Sequence, residues 1–199
     1  MLLLFAFATL GCQAQEQANR NGDTAFLSPD QYTNAFFGFS VPLPRDPPLR
    51  ESSFRSTSTS THLLLSLEGL TLSFNLKPRL TTFVIWAEQS SDVSLAAIQK
   101  VAGSPTNAEV KSVQISGREF WRAKWDEQDP SGKVHTVKYA TAADGYILTF
   151  LITSFDGKLT ARLEHNLERI TFFDPSNARE IAGPKSKPYQ PASSKSSSQ

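Results

Sequence analysis

The stretch that decides the fold is VKSVQISGREFWRAKWDEQDPSGKVHTVKYATAADGYILTFLIT, residues 110–153. It contains four runs with the apolar and polar alternation of half-buried strands. Three short connections with turn chemistry separate the runs, at Ser116-Gly117, Asp129-Pro130-Ser131-Gly132 and Asp144-Gly145. Strands joined by connections this short pair as antiparallel neighbours. The sequence therefore predicts an antiparallel meander with strands at 110–115, 118–126, 133–142 and 146–153.

Segments around the meander extend the sheet and supply two helices. Before the meander, apolar and β-branched runs predict three strands, at 36–43, 62–67 and 81–87. Between residues 93 and 102 the apolar spacing changes to three and four, which predicts an amphipathic helix. Asp156 is the predicted N-cap of a second helix, whose apolar stripe consists of Leu159, Leu163, Leu167 and Ile170. The predicted fold class is α+β, an antiparallel β-sheet covered by helices.

Alternation divides the strand 118–126 into two sides. Trp121 and Trp125 share one side, whereas Phe120, Arg122 and Lys124 share the other. Aromatic residues and arginine are enriched at interfaces, so we expect the second side to form part of a ligand- or protein-binding surface. The long loop 45–59 would rim this surface with three arginines, Arg45, Arg50 and Arg55. The alternative is that these aromatic residues belong to core and cross-strand packing.

Composition excludes several classes of protein. The chain has 199 residues, which is one domain with tails, and its net charge is +1. A near-neutral balance excludes a strongly basic nucleic-acid-binding protein, so no nucleic-acid partner is predicted. The single cysteine excludes an intramolecular disulfide framework and a cysteine-based zinc site.

The N-terminal sequence predicts a location outside the cytosol. Residues 1–10 form an apolar run that is too short to span a bilayer and that matches the centre of a secretory signal. Leu10-Gly11-Cys12 is similar to the bacterial lipobox, in which the cysteine is lipidated, so we expect Cys12 to anchor the protein to a membrane. The alternatives are cleavage after Ala14, which would release a soluble secreted protein, and a cytosolic protein with an apolar N-terminus.

These signals and the local composition divide the chain into four predicted segments. Residues 1–14 are predicted to be a signal peptide of the lipoprotein type, and residues 15–31 a flexible tether. Residues 32–175 form the folded domain. Residues 176–199 are rich in proline, serine and lysine, a composition typical of disorder. The tail lysines Lys185, Lys187 and Lys195 also allow a weak contact with anionic lipid or cell-wall polymer.

Several short sequence segments in the folded part resemble sequences of the PsbP-like superfamily. They are Tyr32-Thr33-Asn34 leading into residues 36–44, Ile115 to Phe120, Gly145 to Phe150, and the closing helix running into Ile170-Thr171-Phe172. The resemblance covers roughly residues 32–173. It implies the α+β fold and a secreted or lipid-anchored bacterial protein that binds a partner. It implies no shared chemistry and transfers no functional residue to this chain.

No motif in the sequence predicts catalysis or a cofactor. There is no Gly-x-Ser-x-Gly elbow, no phosphate-binding or dinucleotide-binding glycine loop, and no histidine pair with metal-binding spacing. We therefore expect a non-enzymatic binding domain, whose partner is an envelope or secreted protein or a small ligand. The alternative is a secreted enzyme or metal-binding protein with a site at His135 and the acidic turn of Asp126, Glu127 and Asp129. That site requires a deep pocket with at least two carboxylates beside His135.

Overall fold

The structure is a computed structural model that describes residues 25–45, 48–52, 61–72, 78–102, 105 and 107–191. The strands of the described residues are β1 (Ala25–Ser28), β2 (Gln31–Asn34), β3 (Phe39–Pro42), β4 (Arg50–Glu51), β5 (Thr61–Leu72), β6 (Pro78–Gln89), β7 (Glu109–Ile115), β8 (Arg118–Asp129), β9 (Gly132–Ala143), β10 (Tyr146–Ser154), β11 (Thr171–Phe172) and β12 (Lys187–Pro188). The α-helices are α1 (Leu95–Ala102), α2 (Gly157–Leu167) and α3 (Ala178–Ala182). A 3-10 turn at Pro175–Asn177 precedes α3.

Seven strands form a large antiparallel sheet in the order β4-β5-β6-β10-β9-β8-β7. The predicted meander, β7 to β10, is confirmed. Its two tightest turns have positive φ at both central residues, 49° and 78° at Ser116 and Gly117, and 50° and 79° at Asp144 and Gly145. These are the dihedrals of two-residue hairpins whose twist matches the strands. The α+β class with antiparallel pairing is likewise confirmed.

Five short strands form a second antiparallel sheet, which the sequence did not predict, in the order β11-β3-β2-β1-β12. β1 lies in the predicted tether and β12 in the predicted tail, so both domain boundaries are wrong. The last described residues are held in place, since the Tyr189 amide donates to the Ala25 carbonyl at 2.9 Å and the Tyr189 ring is buried. The remainder of the predicted signal peptide, tether and tail, residues 1–24 and 192–199, lies outside the described residues.

The main core lies between the two sheets and beneath α2. The large sheet contributes Phe83 and Phe150, the small sheet contributes Phe39, and α2 contributes Leu159 and Leu163. Burying each such side chain stabilises the fold by about 1.5–3 kcal/mol.

The predicted N-cap of α2 is confirmed. The Asp156 carboxylate accepts hydrogen bonds from the amides of Lys158 at 2.8 Å and Leu159 at 3.2 Å. Because these amides have no partner within the helix, the cap stabilises it by about 1 kcal/mol.

The other face of the large sheet carries α1. Ile98 and Ala102 of this helix pack on Ala123, Ala140 and Ile147 of the sheet. Trp121 and Trp125 are partly buried beside them. The meander is therefore covered on both faces, by the small sheet and α2 on one side and by α1 on the other.

Gly38 sets the entry of the chain into β3. Its φ is +59°, and a Cβ atom at this position would overlap the carbonyl oxygen of Phe173. The Phe173 amide also donates to the Gly38 carbonyl at 2.8 Å. Glycine is therefore required by both the dihedral and the close approach. This contact fixes the path of β3, which ends at Pro42.

Candidate functional site

The predicted binding side of β8 faces the main core. Phe120 is fully buried, and its ring lies 6.1 Å from the rings of Phe150 and Phe172 and 6.3 Å from that of Tyr139. The expectation that Phe120 contributes to an exposed surface is therefore wrong. Alternation correctly separated the two sides of the strand, but both sides are covered, and this one faces the small sheet and α2.

Arg122 is also a core residue, only 9% exposed, in an ionic cluster with α2. Its Nε donates to Glu164 Oε1 at 2.6 Å, and the Tyr139 hydroxyl donates to the same oxygen at 3.2 Å. Lys124 is more exposed, with Nζ 3.7 Å from Glu164 Oε2. Burial opposes the charged guanidinium, but its bonds to Glu164 outweigh burial and raise the pKa of Arg122. Burial also raises the pKa of Tyr139. This cluster joins α2 to the sheet.

The loop arginines lie apart from Phe120. Arg45 follows β3, and its Nη2 lies 2.5 Å from Asp30 Oδ2. This contact, helped by the Ser28 hydroxyl, lowers the pKa of Asp30. Arg50 lies on β4 and is exposed. Arg55 lies outside the described residues. The sequence thus placed Arg45 and Arg50 correctly on a surface but wrongly next to β8.

Arg50 lines an open cleft of about 560 Å³, which we call the mouth cleft. It lies where the β1–β12 edge of the small sheet approaches the β4–β5 edge of the large sheet. Its apolar residues are Leu27, Leu43, Leu49, Leu67 and Tyr189, and its charged residues are Arg50, Glu51, Lys185 and Lys187. The volume falls within the range of about 300–1,000 Å³ that is typical of ligand sites.

Tyr189 holds the two sheets together at the mouth cleft. Its ring meets Tyr32 edge-on at 5.9 Å, and its hydroxyl lies 3.5 Å from the Ser66 amide of β5. Burial raises the pKa of Tyr189 to about 12. Lys187 stands opposite Leu27 in the β12–β1 pairing. The C-terminal segment therefore supplies both a wall of the cleft and two of its cations.

Arg45 lines a second cleft, of about 720 Å³, between β3 and the exposed side of α2. We call it the arginine cleft. Its charged and polar residues are Asp30, Arg45, Arg162, His165, Asn166 and Arg169. Leu43 and Pro44 line both clefts, so the clefts adjoin along the end of β3.

Positive charge is concentrated along these two clefts, which together we call the cationic face. Six basic side chains line it against two acidic ones, Asp30 and Glu51, whereas the whole chain has a surplus of only one basic residue. Sequence reasoning placed Lys185 and Lys187 in a disordered tail and did not single out Arg162 or Arg169. The buried Tyr189 was the available signal, since an aromatic residue in a polar tail indicates a packed segment.

The acidic turn does not converge on His135. Asp126 lies 2.7 Å from His135 Nδ1 and 2.7 Å from Lys133 Nζ, and these contacts lower the pKa of Asp126. Glu127 instead accepts from the Trp125 indole at 3.1 Å, and Asp129 accepts from the Ser131 amide at 2.7 Å within the turn. Strand alternation explains the separation, because adjacent residues point to opposite faces.

On its other side His135 packs against the start of α2. Its ring lies against Gly157 at the start of α2, where a Cβ atom would be 3.2 Å from Nε2. His135 lines neither of the two clefts. Within the described residues, no group of three or more histidine, cysteine, aspartate or glutamate side chains has the arrangement of a metal site.

Comparison with known proteins gives similarity in structure alone. No family model matches the sequence, and no curated protein matches it. The solution structure of cyanobacterial PsbP from Synechocystis sp. PCC 6803 is similar with a TM-score of 0.48 and 10% identity, over 85% of this chain and 99% of that one.

Two further solved structures are similar. A protein from Bacteroides thetaiotaomicron VPI-5482 gives a TM-score of 0.46 at 11% identity, over 74% of this chain and 49% of that one. LpqN of Mycobacterium tuberculosis, described as involved in cell envelope biogenesis, gives 0.37 at 10% identity, over 62% of this chain and 82% of that one.

Proposed function

We propose that this protein is a non-enzymatic binding domain that works outside the cytosol and recognises an anionic ligand on its cationic face. The observation that carries this proposal is the clustering of six basic and two acidic side chains around two adjoining clefts. The whole chain has almost no net charge, yet the lining of these two concave clefts has a clear excess of basic over acidic side chains. Concave walls focus the electrostatic field and attract ligands of opposite charge.

The chemistry of the face suits recognition of acidic groups. Three of its six cations, Arg45, Arg162 and Arg169, belong to the arginine cleft, and guanidinium groups form paired hydrogen bonds with carboxylates and phosphates. Arg45 is oriented by its contact with Asp30. An arginine that is already oriented loses less side-chain entropy when a ligand binds.

The proposed location of the protein, outside the cytosol, rests on its N-terminal sequence. The apolar run 1–10 and Cys12 support export and lipid attachment, and residues 13–24 separate the cysteine from β1. Among the described residues, no helix is both long and apolar enough to cross a bilayer. In this proposal a lipid on Cys12 attaches the protein to the membrane.

A thermal-shift panel tests the binding function. Soluble carboxylates, phosphates and sulfates are added to the full chain, and we expect at least one class of anion to raise the melting temperature. The variant Arg45→Gln/Arg50→Gln should lose this shift, whereas Lys111→Gln, on the exposed edge strand β7, should retain it. If no anion raises the melting temperature, or if all three proteins respond equally, the proposed function is wrong.

Mass spectrometry of the chain expressed in a bacterium tests the anchor. A diacylglyceryl adduct on Cys12, lost in Cys12→Ser, is the expected result. A mature chain that begins at Gln15 would contradict lipid anchoring and leave a soluble secreted protein.

A further inference from the structure

We propose that the mouth cleft binds a single-chain amphiphile with an anionic head group, placing the chain on its apolar floor and the head group among Arg50, Lys185 and Lys187. This inference rests on the proposed function and names the class of ligand. It depends on three properties of the cleft: a recessed apolar floor, cations confined to its rim, and walls of restricted flexibility.

The floor of the mouth cleft is continuous with the protein core. Leu67 is 2% exposed and Tyr189 is 5% exposed, and both belong to the core cluster together with Leu43. Leu27 and Leu49 are half-buried and pack against the same cluster. An alkyl chain lying here would complete the apolar layer between the edges of the two sheets. Such burial favours binding in proportion to the apolar area removed from water.

The cations of the cleft stand around this floor rather than on it. Arg50, Lys185 and Lys187 are exposed, and Glu51 is the one acidic residue of the lining. An uncharged lipid would gain no electrostatic attraction from these three cations. A ligand with an apolar chain and a negative head group matches both parts of the cleft.

Proline residues stiffen the walls. Pro29, Pro44 and Pro188 all line the cleft, and proline fixes φ near −65°. Pro188 lies on β12, which is held at its end by the buried Tyr189. A cleft whose walls are already ordered loses little conformational entropy when a ligand binds.

The shape of the cleft favours a monomeric amphiphile over the surface of a bilayer. Proteins that insert into a bilayer present protruding apolar side chains. The exposed large hydrophobic residues of the described chain are Leu70, Leu80, Val93, Leu95 and Ile181, and none of them lines the mouth cleft. The apolar floor is recessed instead, where a single chain can reach it and a flat bilayer cannot.

Isothermal titration of the full chain with straight-chain alkyl carboxylates of increasing length, below their micelle-forming concentrations, tests the inference. Each added methylene on the floor should tighten binding by about fourfold until the floor is filled. The alkanol of matching length should bind at least about tenfold more weakly, because its head group gains nothing from the rim cations. Anionic vesicles should give no binding beyond the monomer present in them.

Three variants locate the site. Arg50→Gln/Lys187→Gln should weaken binding of the carboxylate but leave binding of the alkanol unchanged. Leu49→Asn should weaken both, and Lys111→Gln should weaken neither. Because the rim variants change no core residue, they test the role of the rim cations even if Leu49→Asn reduces folding.

The outcomes separate this inference from the proposed function. Short and long acids that bind equally well would overturn the amphiphile and leave the anion-binding function standing. An affinity for the carboxylate that is identical in the rim variants and in Lys111→Gln would also overturn it, as would binding to anionic vesicles alone. If no acid of any length binds, the amphiphile is overturned, and the proposed function fails as well if phosphates and sulfates also leave the melting temperature unchanged.

Discussion

Replacing Arg122 by methionine tests whether the buried ionic cluster is a structural element or part of a binding surface. The substitution removes the guanidinium that donates to Glu164 and keeps most of the apolar stem. Glu164, 8% exposed, would then retain only the Tyr139 hydroxyl at 3.2 Å and the Lys124 ammonium at 3.7 Å. A carboxylate that loses its main partner in a buried position is strongly destabilising.

Removing one member of a buried pair costs about 3–5 kcal/mol. For a domain of this size each kcal/mol lowers the melting temperature by about 2–4 °C, so we expect a decrease of roughly 6–20 °C. Lys124 serves as the matched comparison because its side chain is more exposed. Lys124→Gln should cost no more than about 1 kcal/mol.

Chemical denaturation of Arg122→Met, Glu164→Leu and the double variant completes the test. The double variant should recover most of the lost stability, since replacing both charges with apolar groups leaves no uncompensated ion. Binding of anions to the cationic face should be the same in every variant that folds. A stable Arg122→Met protein, or one that remains folded but loses anion binding, would refute the structural role of Arg122.

Three further predictions concern individual residues. Gly38→Ala should cost about 3 kcal/mol or more in urea denaturation, because it adds a backbone clash to the unfavourable φ, whereas Gly117→Ala, also at positive φ but in open space, should cost only about 1–2 kcal/mol; equal losses would contradict the close approach. The lowered pKa of Asp126 makes a stabilising contribution that is present above its unfolded pKa of about 3.9 and is lost as pH falls through the folded value; carbon NMR should show Lys133→Gln shifting that titration upward, and an unchanged titration would contradict the ion pair. Tyr189 should ionise near pH 12, so its stabilising contribution is present below the unfolded pKa of about 10 and is lost at higher pH; an absorbance titration in which Tyr189→Phe removes only an ordinary tyrosine step would show that the ring is not buried.

The meander could be predicted from sequence because its information is local. Alternation along β8 to β10 and the turns at Ser116-Gly117 and Asp144-Gly145 determine pairing between neighbours in the chain. In the small sheet only β3 was predicted, within the strand at 36–43; the other strands have two to four residues and carry no readable periodicity. β1 and β12 lie in segments whose composition predicts disorder, and only pairing, of β1 with β2 and of β12 with β1, reveals them as strands.

The candidate site was predicted only in part, for a related reason. Alternation shows which residues of β8 share a side but not whether that side is exposed. Arginine is enriched at binding surfaces, which is why Arg122 was predicted to belong to one. Its actual partner, Glu164, is on a helix 42 positions away in the chain, so no local pattern indicates the buried ion pair. Arg50 and Lys187 line one cleft because the two sheets approach each other at their edges. No local pattern contains that approach.

The position at which an anionic amphiphile binds tests the proposed ligand site most directly. Backbone amide NMR spectra recorded during titration of the full chain with decanoate would give this position. We predict shifts that are largest around Leu27, Leu49 to Glu51 and Lys185 to Tyr189, which line the mouth cleft. Shifts centred on His135 and Asp126, or the absence of any localised shift at saturating decanoate, would contradict it.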